Sequence, residues 1–485
     1  MRYRFVRLTN GWLIEKVRMS ILRVWMCLAC GLLWLSTACG VARAETSPKD
    51  DGYRGIWFTL GQFSEYGDKN SGGQGTYTAN HVPIAVYSRQ ANKTFFVYGG
   101  AKQGKRYLLD MVSYYDHAQG TVPRPTVVHD KQGVDDPHDN PSLCIDPQGH
   151  VWVFVSGRSR KRPGFIYRST KPYSIDHFER VSEREITYPQ PRWIEGQGFL
   201  FLFTKYTWGR ELYWSTSRDG RSWTPEQKFV GMGGHYQTSH QRGNRVFTAF
   251  NMHPGATAAR GGDVDKRTNL YFLQTDDMGR TWRNVQGQPV EVPLTDPHNP
   301  ALARDYQAEG RLVYIHDLDL DTQGRPAILY VTAAGFKPGP SSDPRWWTVA
   351  HWTGSQWEYS QVRAANHNYS TGSLYIEDGQ WRIFGPTEPG PQPVGNGGEV
   401  AIWISKDQGH TWTKQRDVTR GSAMNHNYVR RPVDAHPDFY AFWADGNPDK
   451  FSPSYLYFTN RTGDQVWRLP YDMTGDSARP EPVFK

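Results

Sequence analysis

The sequence predicts an all-β fold, and three features of the residue pattern indicate it. Apolar runs are short, as at 95–98 (FFVY) and 151–155 (VWVFV), and no segment carries a long apolar pattern at helical spacing. Turn-forming quartets such as 146–149 (DPQG) separate these runs. A tryptophan-containing box also recurs along the chain. We therefore expect many short strands joined by tight turns.

The first 44 residues predict a secretory signal peptide. Arginines precede the apolar stretch 24–35 (VWMCLACGLLWL), and the small residues of 41–44 (VARA) offer cleavage before Glu45. A lipoprotein signal ending at Cys39 is the alternative, although Ser36 stands where leucine is usual. We therefore expect a secreted or periplasmic protein, with lipid anchoring at Cys39 as the second interpretation.

Charge and cysteine content narrow the class of protein. Residues 1–44 carry seven basic residues and one acidic residue, so their removal lowers the formal net charge from +8 to +2. This argues against a nucleic-acid partner, because proteins that bind phosphates carry their positive charge in the folded domain. Of the four cysteines only Cys144 then remains, so we expect no internal disulfide. We also expect no membrane-spanning segment after the signal.

The recurring box identifies an architecture. Residues 275–282 (TDDMGRTW) and 405–412 (SKDQGHTW) share the pattern S/T-x-D-x-G-x-T-W, and 217–223 (SRDGRSW) is a relative shorter by one residue. They resemble the Asp-box, or BNR repeat, of sialidase-like β-propellers. In such a box the aspartate accepts hydrogen bonds from backbone N–H groups, the glycine takes the turn conformation and the tryptophan packs between sheets. The box therefore predicts a fold and not an activity.

The spacing of the boxes predicts the number of blades. Their tryptophans lie 59 and 130 residues apart, close to one and two units of a repeat of about sixty residues. The segment 45–485 then accommodates seven blades, and we expect a single seven-bladed β-propeller domain. A strand near residues 53–58 is expected to pair with the C-terminal strands and close the ring. Two separate β-domains are the alternative, but no Ser/Pro-rich linker marks a boundary.

Functional residues of a propeller should come from similarly placed loops of successive blades, since these loops surround one central funnel. One such loop is 134–141 (VDDPHDNP), in which Pro137 and Pro141 restrict the backbone around His138. The carboxylates near His138 would raise its pKa unless an arginine offsets them. The near copy at 296–300 (DPHNP) allows a purely architectural interpretation of the same motif. The other candidate loops are 114–117 (YYDH), 187–192 (TYPQPR) and 234–237 (GHYQ).

These stretches together resemble the BNR-repeat proteins that include the secreted ulvan lyases of polysaccharide lyase families 24 and 25. The resemblance covers nearly the whole chain after the signal. It is carried by D-P-H-D-N-P at His138, Y-P-Q at Tyr188, R-E-L-Y at Arg210 and H-Y-Q at His235. It implies β-elimination in an acidic, sulfated, ulvan-like polysaccharide, carried out by histidine, tyrosine and arginine without a catalytic metal.

The resemblance also implies a role for each residue type. Arg210 is expected to neutralise the uronate carboxylate, with Arg192 as its rival. His117 or His138 is expected to take the C5 proton, and Tyr188, with Tyr206 as its rival, to protonate the leaving oxygen. The expected substrate contacts are Asn140, Arg192, Tyr206, His235 and Tyr236. We expect a monomer.

Three alternatives remain open at this point. Some family members hold a structural zinc with histidine and cysteine, but here His253 and Cys144 fall in different blades. We expect no cofactor for catalysis. A structural zinc or calcium ion is the alternative, but the cysteine content does not support it. A sialidase-like glycoside hydrolase would need an arginine triad and a tyrosine/glutamate pair, and hydrolases more generally use two carboxylates. No N-terminal arginine motif supports the sialidase version, because Arg54 stands in an expected closing strand. A non-catalytic glycan-binding propeller would keep the aromatic residues and arginines.

Overall fold

The computed structural model describes residues 46–257 and 259–483. The predicted signal peptide and the alternative anchor Cys39 lie outside these ranges. Regular structure within them is β-strand, apart from three single 3-10 turns at Pro137–Asp139, Val264–Lys266 and Pro340–Ser342. The predicted all-β class is confirmed. No helix of the described ranges has the length and apolar character needed to span a bilayer.

The described residues form seven antiparallel sheets of at least four strands, one after another along the chain, which confirms the predicted seven-bladed propeller. Two small ladders precede the first blade; their strands are β1 (Trp57–Thr59), β2 (Phe63–Ser64), β3 (Gly67–Asp68) and β4 (Ser71–Gly73). Blade 1 contains β5 (Ala85–Ser88), β6 (Lys93–Ala101), β7 (Leu108–Asp116) and, after the short β8 (Val122–Pro123), β9 (Thr126–Asp130). Blade 2 contains β10 (Pro141–Ile145), β11 (Val151–Val155), β12 (Gly164–Ser169) and β13 (Phe178–Arg184).

The middle blades repeat this order. Blade 3 contains β14 (Thr187–Ile194), β15 (Gly198–Tyr206), β16 (Arg210–Ser217) and β17 (Gln227–Val230). Blade 4 contains β18 (Gln237–Arg242), β19 (Arg245–Met252), β20 (Thr268–Thr275), β21 (Trp282–Arg283), β22 (Pro289–Val290) and the added β23 (Leu302–Arg304). Blade 5 contains β24 (Leu312–Leu320), β25 (Pro326–Ala333), β26 (Trp346–Trp352) and β27 (Trp357–Ala364).

The last two blades complete the series. Blade 6 contains β28 (Ser373–Glu377), β29 (Gln380–Glu388), β30 (Glu399–Ser405) and β31 (Thr413–Asp417). Blade 7 contains β32 (Asn425–Arg430), β33 (Ala441–Gly446), β34 (Leu456–Thr459), β35 (Val466–Arg468) and β37 (Glu481–Val483), while β36 (Ser477–Ala478) pairs with β8.

The direction of the strands divides the loops between two faces. Because neighbouring strands are antiparallel, the first and third strands of a blade run in the same direction. Loops that precede a first strand, or join a second strand to a third, therefore open on one face, called here the upper face. Loops that follow a first or a third strand open on the lower face. This rule decides which of the predicted residues can meet.

The Asp-boxes form the turns that the sequence predicts. In the box of blade 4, Thr281 N–H donates to Asp277 Oδ1 over 2.9 Å and Gly279 N–H donates to Thr275 Oγ1 over 3.0 Å. Gly279 has φ 81°, a conformation that favours glycine. The box of blade 6 has the same pattern, with Thr411 N–H donating to Asp407 Oδ1 over 3.0 Å. The boxes are structural, as expected.

Replacing Trp282 by alanine should lower the free energy of unfolding by about 3–5 kcal/mol. The Trp282 side chain is 1% exposed and stacks on Phe229, with ring centroids 4.7 Å apart and planes inclined by 6°. Denaturant unfolding followed by circular dichroism measures the loss. Trp208→Ala is the matched control, because Trp208 is 40% exposed. A similar loss in both variants would contradict a specific role for the box tryptophan.

Closure of the ring differs from the expectation. The strand β1 pairs with β4 of its own segment and not with a C-terminal strand. Tyr53 and Gly55 instead donate single backbone hydrogen bonds to Pro470 O and Ser454 O, each over 2.9 Å. The physical reason is that β32 to β35 already complete blade 7, and β37 covers the outer edge of β35. Blades 1 and 7 meet through a bridge between Val86 and Val433.

Candidate active site

A cavity opens at the upper face where the first strands of the blades converge. Its lining combines cationic side chains with tyrosines, and none of the described residues that line it is aspartate or glutamate. The side chains that concern the chemistry are Lys69, Tyr77, His138, Arg158, Arg210, Tyr236, Arg267, Tyr314, Tyr369 and Tyr428. Such a lining suits an anionic ligand that is also held through hydroxyl hydrogen bonds.

Three arginines occupy equivalent positions in successive blades. Arg158 and Arg267 lie in the loops from the second to the third strand of blades 2 and 4, and Arg210 is the first residue of the third strand of blade 3, directly after the corresponding loop. They are 52 and 57 residues apart, close to the blade repeat. The strand directions bring all three loops to the upper face, so three guanidinium groups converge on one cavity. Only Arg210 of these three was expected from the sequence.

Arg210 and Arg267 are held by aromatic rings and not by carboxylates. The Arg210 guanidinium lies 5.3 Å from the Tyr206 ring centroid, and its Nε donates to Tyr206 Oη over 3.2 Å. Arg267 lies 4.4 Å from the Tyr236 ring centroid and donates to Tyr369 Oη over 2.9 Å. Within the described ranges neither arginine forms an ion pair. Their positive charges are therefore available to a bound carboxylate.

His138 belongs to a hydrogen-bonded chain that leads to the cavity. Its Nδ1 lies 2.5 Å from Asp136 Oδ1, and its Nε2 lies 2.7 Å from Tyr77 Oη. Arg162 donates to the second Asp136 oxygen over 2.7 Å, and Arg158 donates to it over 3.3 Å. Since both imidazole nitrogens are engaged, Tyr77 is the member of this chain that presents a hydroxyl to the cavity.

The protonation states fix the direction of these hydrogen bonds. Burial lowers the pKa of His138 to about 4, against the opposing effect of Asp136, so the imidazole is neutral at neutral pH. Asp136 acts in the direction expected from the sequence, but burial, with Arg158 and Arg210 acting in the same sense, outweighs it. Burial works to raise the pKa of Asp136, but His138 and the arginines outweigh it and lower that pKa. Ionised Asp136 accepts from Nδ1–H, so Nε2 of His138 accepts the proton of the Tyr77 hydroxyl.

Tyr188 lies beside His138, Tyr236 lies beside Tyr188, and these two tyrosines differ in acidity. Tyr188 has a buried hydroxyl that makes no hydrogen bond in the structure, and burial raises its pKa well above the usual value. Its ring centroid lies 6.1 Å from that of His138 and 5.5 Å from that of Tyr236. Burial works to raise the pKa of Tyr236 too, but the three arginines lower it to about 8. One tyrosine stays protonated while the other can ionise.

His117 is not brought to this cavity. It follows β7, the third strand of blade 1, and therefore lies on the lower face, whereas His138 precedes a first strand and lies on the upper face. Its ring packs against His436, with centroids 3.8 Å apart, and against Tyr87. Two histidines that are near in sequence are thus separated by the direction of the strands. The expected pair of His117 and His138 does not form.

The other predicted substrate contacts fall into two groups: those that reach the cavity and those that are buried in the fold. Tyr236 lines the cavity, and Tyr206 reaches it through Arg210. His235 is fully buried, with Nδ1 bonded to Asn251 O and Nε2 accepting from Met232 N–H, so its ring supports the backbone. Asn140 is likewise buried and donates to Tyr77 O over 2.9 Å, which holds the Tyr77 segment.

Arg192, the predicted rival of Arg210, lies deeper in the propeller. It sits in the middle of β14, is 3% exposed and donates to the Ser239 carbonyl oxygen. It lines a separate small cavity with Asp317 and Arg431. Arg210 is therefore the better placed of the two for a ligand at the upper face.

A zinc site made of histidine and cysteine does not fit the described residues. Cys144 is buried in an apolar cluster with Trp152 and Phe154. His253 lies in blade 4, where its ring contacts Tyr236 at a centroid distance of 4.9 Å. No other cysteine occurs in the described ranges to complete such a site.

Comparison with known proteins agrees with this architecture. The chain is 21% identical over 353 residues, 66% of this chain and 71% of the relative, to an ulvan lyase described as PL25 from Pseudoalteromonas sp. (strain PLSV). It is 23% identical over 321 residues, 58% of this chain and 65% of the relative, to an ulvan lyase of Nonlabens ulvanivorans.

Solved structures show the same fold. A PL25 ulvan lyase bound to -[GlcA(1-4)Rha3S]- superposes with a TM-score of 0.67 at 16% identity, covering 85% of this chain and 96% of that one. The polysaccharide lyase Uly1 gives a TM-score of 0.58 at 12% identity, covering 86% and 99%. Residues 109–365, more than half of the sequence, match the model of the BNR repeat-containing family. The chain belongs to the BNR repeat-containing family.

Proposed function

We propose that this protein is a polysaccharide lyase that cleaves a uronic-acid-containing, ulvan-like polysaccharide by β-elimination. The observation that carries the proposal is the upper cavity, in which Arg210 and Arg267, which have no carboxylate partner among the described residues, contact tyrosine side chains. The likeness to ulvan lyases supports the same reaction class. The absence of Asp and Glu from the described lining disfavours a glycoside hydrolase, which places two carboxyl groups across the scissile bond.

The arginines supply what this elimination needs first. The proton on C5 of a uronate is weakly acidic while the adjacent carboxylate is charged, so the carboxylate must be neutralised before the proton can leave. A guanidinium makes paired hydrogen bonds to a carboxylate and stabilises the negative charge that develops on it. We assign this role to Arg210, with Arg267 beside it as a second cation.

The proton transfers follow from the hydrogen-bonded chain. Tyr77 takes the C5 proton while its own hydroxyl proton passes to Nε2 of His138, and Asp136 stabilises the imidazolium that results. The electrons of the C5–H bond form the C4–C5 double bond as the C4–O bond breaks. Tyr188, which stays protonated because its pKa is raised, donates to the leaving oxygen. Tyr236 contacts the substrate.

The direct test is ultraviolet absorbance of the purified protein incubated with ulvan and with other uronate polymers. Elimination leaves a conjugated unsaturated uronate at the new end, so absorbance should rise on at least one polymer. Reducing ends formed without absorbance would indicate a hydrolase and overturn the proposal. Binding without either product would indicate a glycan-binding propeller.

The affinity for the substrate should fall above pH 8, because Tyr236 then ionises. Its pKa is lowered to about 8, and the tyrosinate formed above that pH competes with the substrate carboxylate for Arg210 and Arg267. KM measured from pH 6 to 10 should therefore rise on the alkaline side, and Tyr236→Phe should remove that rise. An increase of kcat/KM through the same range would contradict this, since it would make Tyr236 the proton acceptor.

We also propose that the protein is exported and acts as a monomer. The apolar stretch 24–35 and the cleavage sequence 41–44 support export, and a polysaccharide too large to enter a cell would be met outside it. The strand pairing supports a monomer, because each of the seven blades has at least four strands from this chain and none needs a second copy to complete its sheet.

A further inference from the structure

His117 has an unexplained environment at the lower face, where blades 1 and 7 meet. His436 and Asp438 lie next to it in the loop between β32 and β33. Each of these three residues offers one possible ligand atom, and the three atoms lie within 4.8 Å of one another. The cluster takes no part in the proposed elimination, because the cavity opens on the upper face.

Thr94 fixes the orientation of the His117 ring and leaves one of its two nitrogens without a hydrogen bond. Its Nε2 lies 2.8 Å from Thr94 Oγ1, while its Nδ1 is buried and has no hydrogen-bond partner. A buried nitrogen without a partner is costly and calls for an explanation. When Nε2–H donates to Thr94, Nδ1 carries a lone pair, which is the state of a histidine that binds a metal.

His436 and Asp438 are held close to that nitrogen by a tight turn. Phe439 N–H donates to His436 O over 2.9 Å, and Asp438 Oδ2 lies 3.8 Å from His436 Nδ1. The turn thus places an imidazole and a carboxylate on the same side. The His436 ring lies against that of His117, with centroids 3.8 Å apart and planes inclined by 40°, and the His436 side chain is 23% exposed.

We propose that His117, His436 and Asp438 bind a divalent transition metal of the zinc class. Two imidazole nitrogens and one carboxylate oxygen suit zinc, with water as the fourth ligand, and they do not suit calcium, which prefers oxygen ligands only. The metal would join the end of β7 to blade 7. There it would add to the hydrogen bonds from Tyr87 N–H to Val433 O and from Val433 N–H to Ala85 O, over 3.0 and 2.9 Å. A metal that binds only the folded chain stabilises the seam.

The test is calorimetric titration of chelator-treated protein with Zn²⁺, and separately with Ca²⁺. We expect one Zn²⁺ bound per chain, a higher thermal unfolding midpoint with Zn²⁺, and neither effect with Ca²⁺. His117→Ala and Asp438→Asn should each weaken Zn²⁺ binding at least about tenfold. His298→Ala is the matched control, because His298 forms an exposed pair with Asp305 over 3.0 Å and should leave the affinity unchanged.

Absence of stoichiometric Zn²⁺ binding would overturn the proposal, as would an unchanged affinity in both cluster variants. Asp438→Asn keeps the test decisive if His117→Ala fails to fold, since Asp438 is exposed. The same variant should retain the lyase activity of the parent protein. Failure of the metal site and failure of the proposed elimination are therefore separate results.

Discussion

Replacing Arg210 by lysine should lower kcat/KM on the uronate polymer about 100-fold or more. Lysine keeps the positive charge but lacks the planar fork that makes two hydrogen bonds to one carboxylate. The stacking of the guanidinium on Tyr206 and the hydrogen bond to Tyr206 Oη are lost as well. Initial rates of product absorbance over a range of polymer concentrations measure the effect, and most of the loss should fall on kcat.

Arg304→Lys is the matched control for this substitution. Arg304 also lies over aromatic rings, 4.6 Å from the Tyr306 centroid and 4.4 Å from the Tyr359 centroid, but it pairs with Glu309 away from the cavity. Its replacement should leave kcat/KM unchanged. A fully active Arg210→Lys protein would show that the cavity needs only a positive charge at this position, and Arg267 would then be the better candidate for binding the carboxylate.

The fold was predictable because its signal is local and repeated. Each Asp-box contains, within eight residues, the acceptor, the glycine and the tryptophan that form one turn, and the distance between boxes gives the blade size. The closure of the ring was predicted less well. Which strands share a blade at the ends of the chain depends on the pairing of β35 with β37, and that pairing is not encoded in either strand alone.

The candidate site was predictable where a residue lies in a loop, or at the end of a strand, whose position in its blade is known. Arg210 and Tyr236 satisfy that condition. His117 does not, because nothing in its sequence says that it follows a third strand and so faces away from His138. Tyr77 was missed because it precedes the first blade, where no box marks the repeat. Arg158 and Arg267 carry a usable signal, the recurrence of one arginine per blade at the spacing of the repeat.

Tyr77→Phe should lower kcat about 100-fold or more and change KM little. Phenylalanine keeps the packing against His138, whose ring centroid lies 4.9 Å from that of Tyr77, but it removes the hydroxyl that connects His138 to the cavity. His138→Ala should be impaired to a similar degree. Because the two residues act as one unit, the double variant should be no slower than the slower single variant.

The pH dependence of kcat/KM distinguishes proton transfer through Tyr77 and His138 from a structural role of these residues. His138 must be neutral to accept a proton, and burial lowers its pKa to about 4, so kcat/KM should fall only as the pH approaches 4 from above. Tyr314→Phe is the matched control, because Tyr314 belongs to the same lining and its buried hydroxyl has no hydrogen-bond partner. This variant should keep both kcat and the fall of kcat/KM toward pH 4. Additive losses in the double variant would mean that Tyr77 and His138 act separately. An active Tyr77→Phe protein would leave Tyr236 as the remaining candidate for the base.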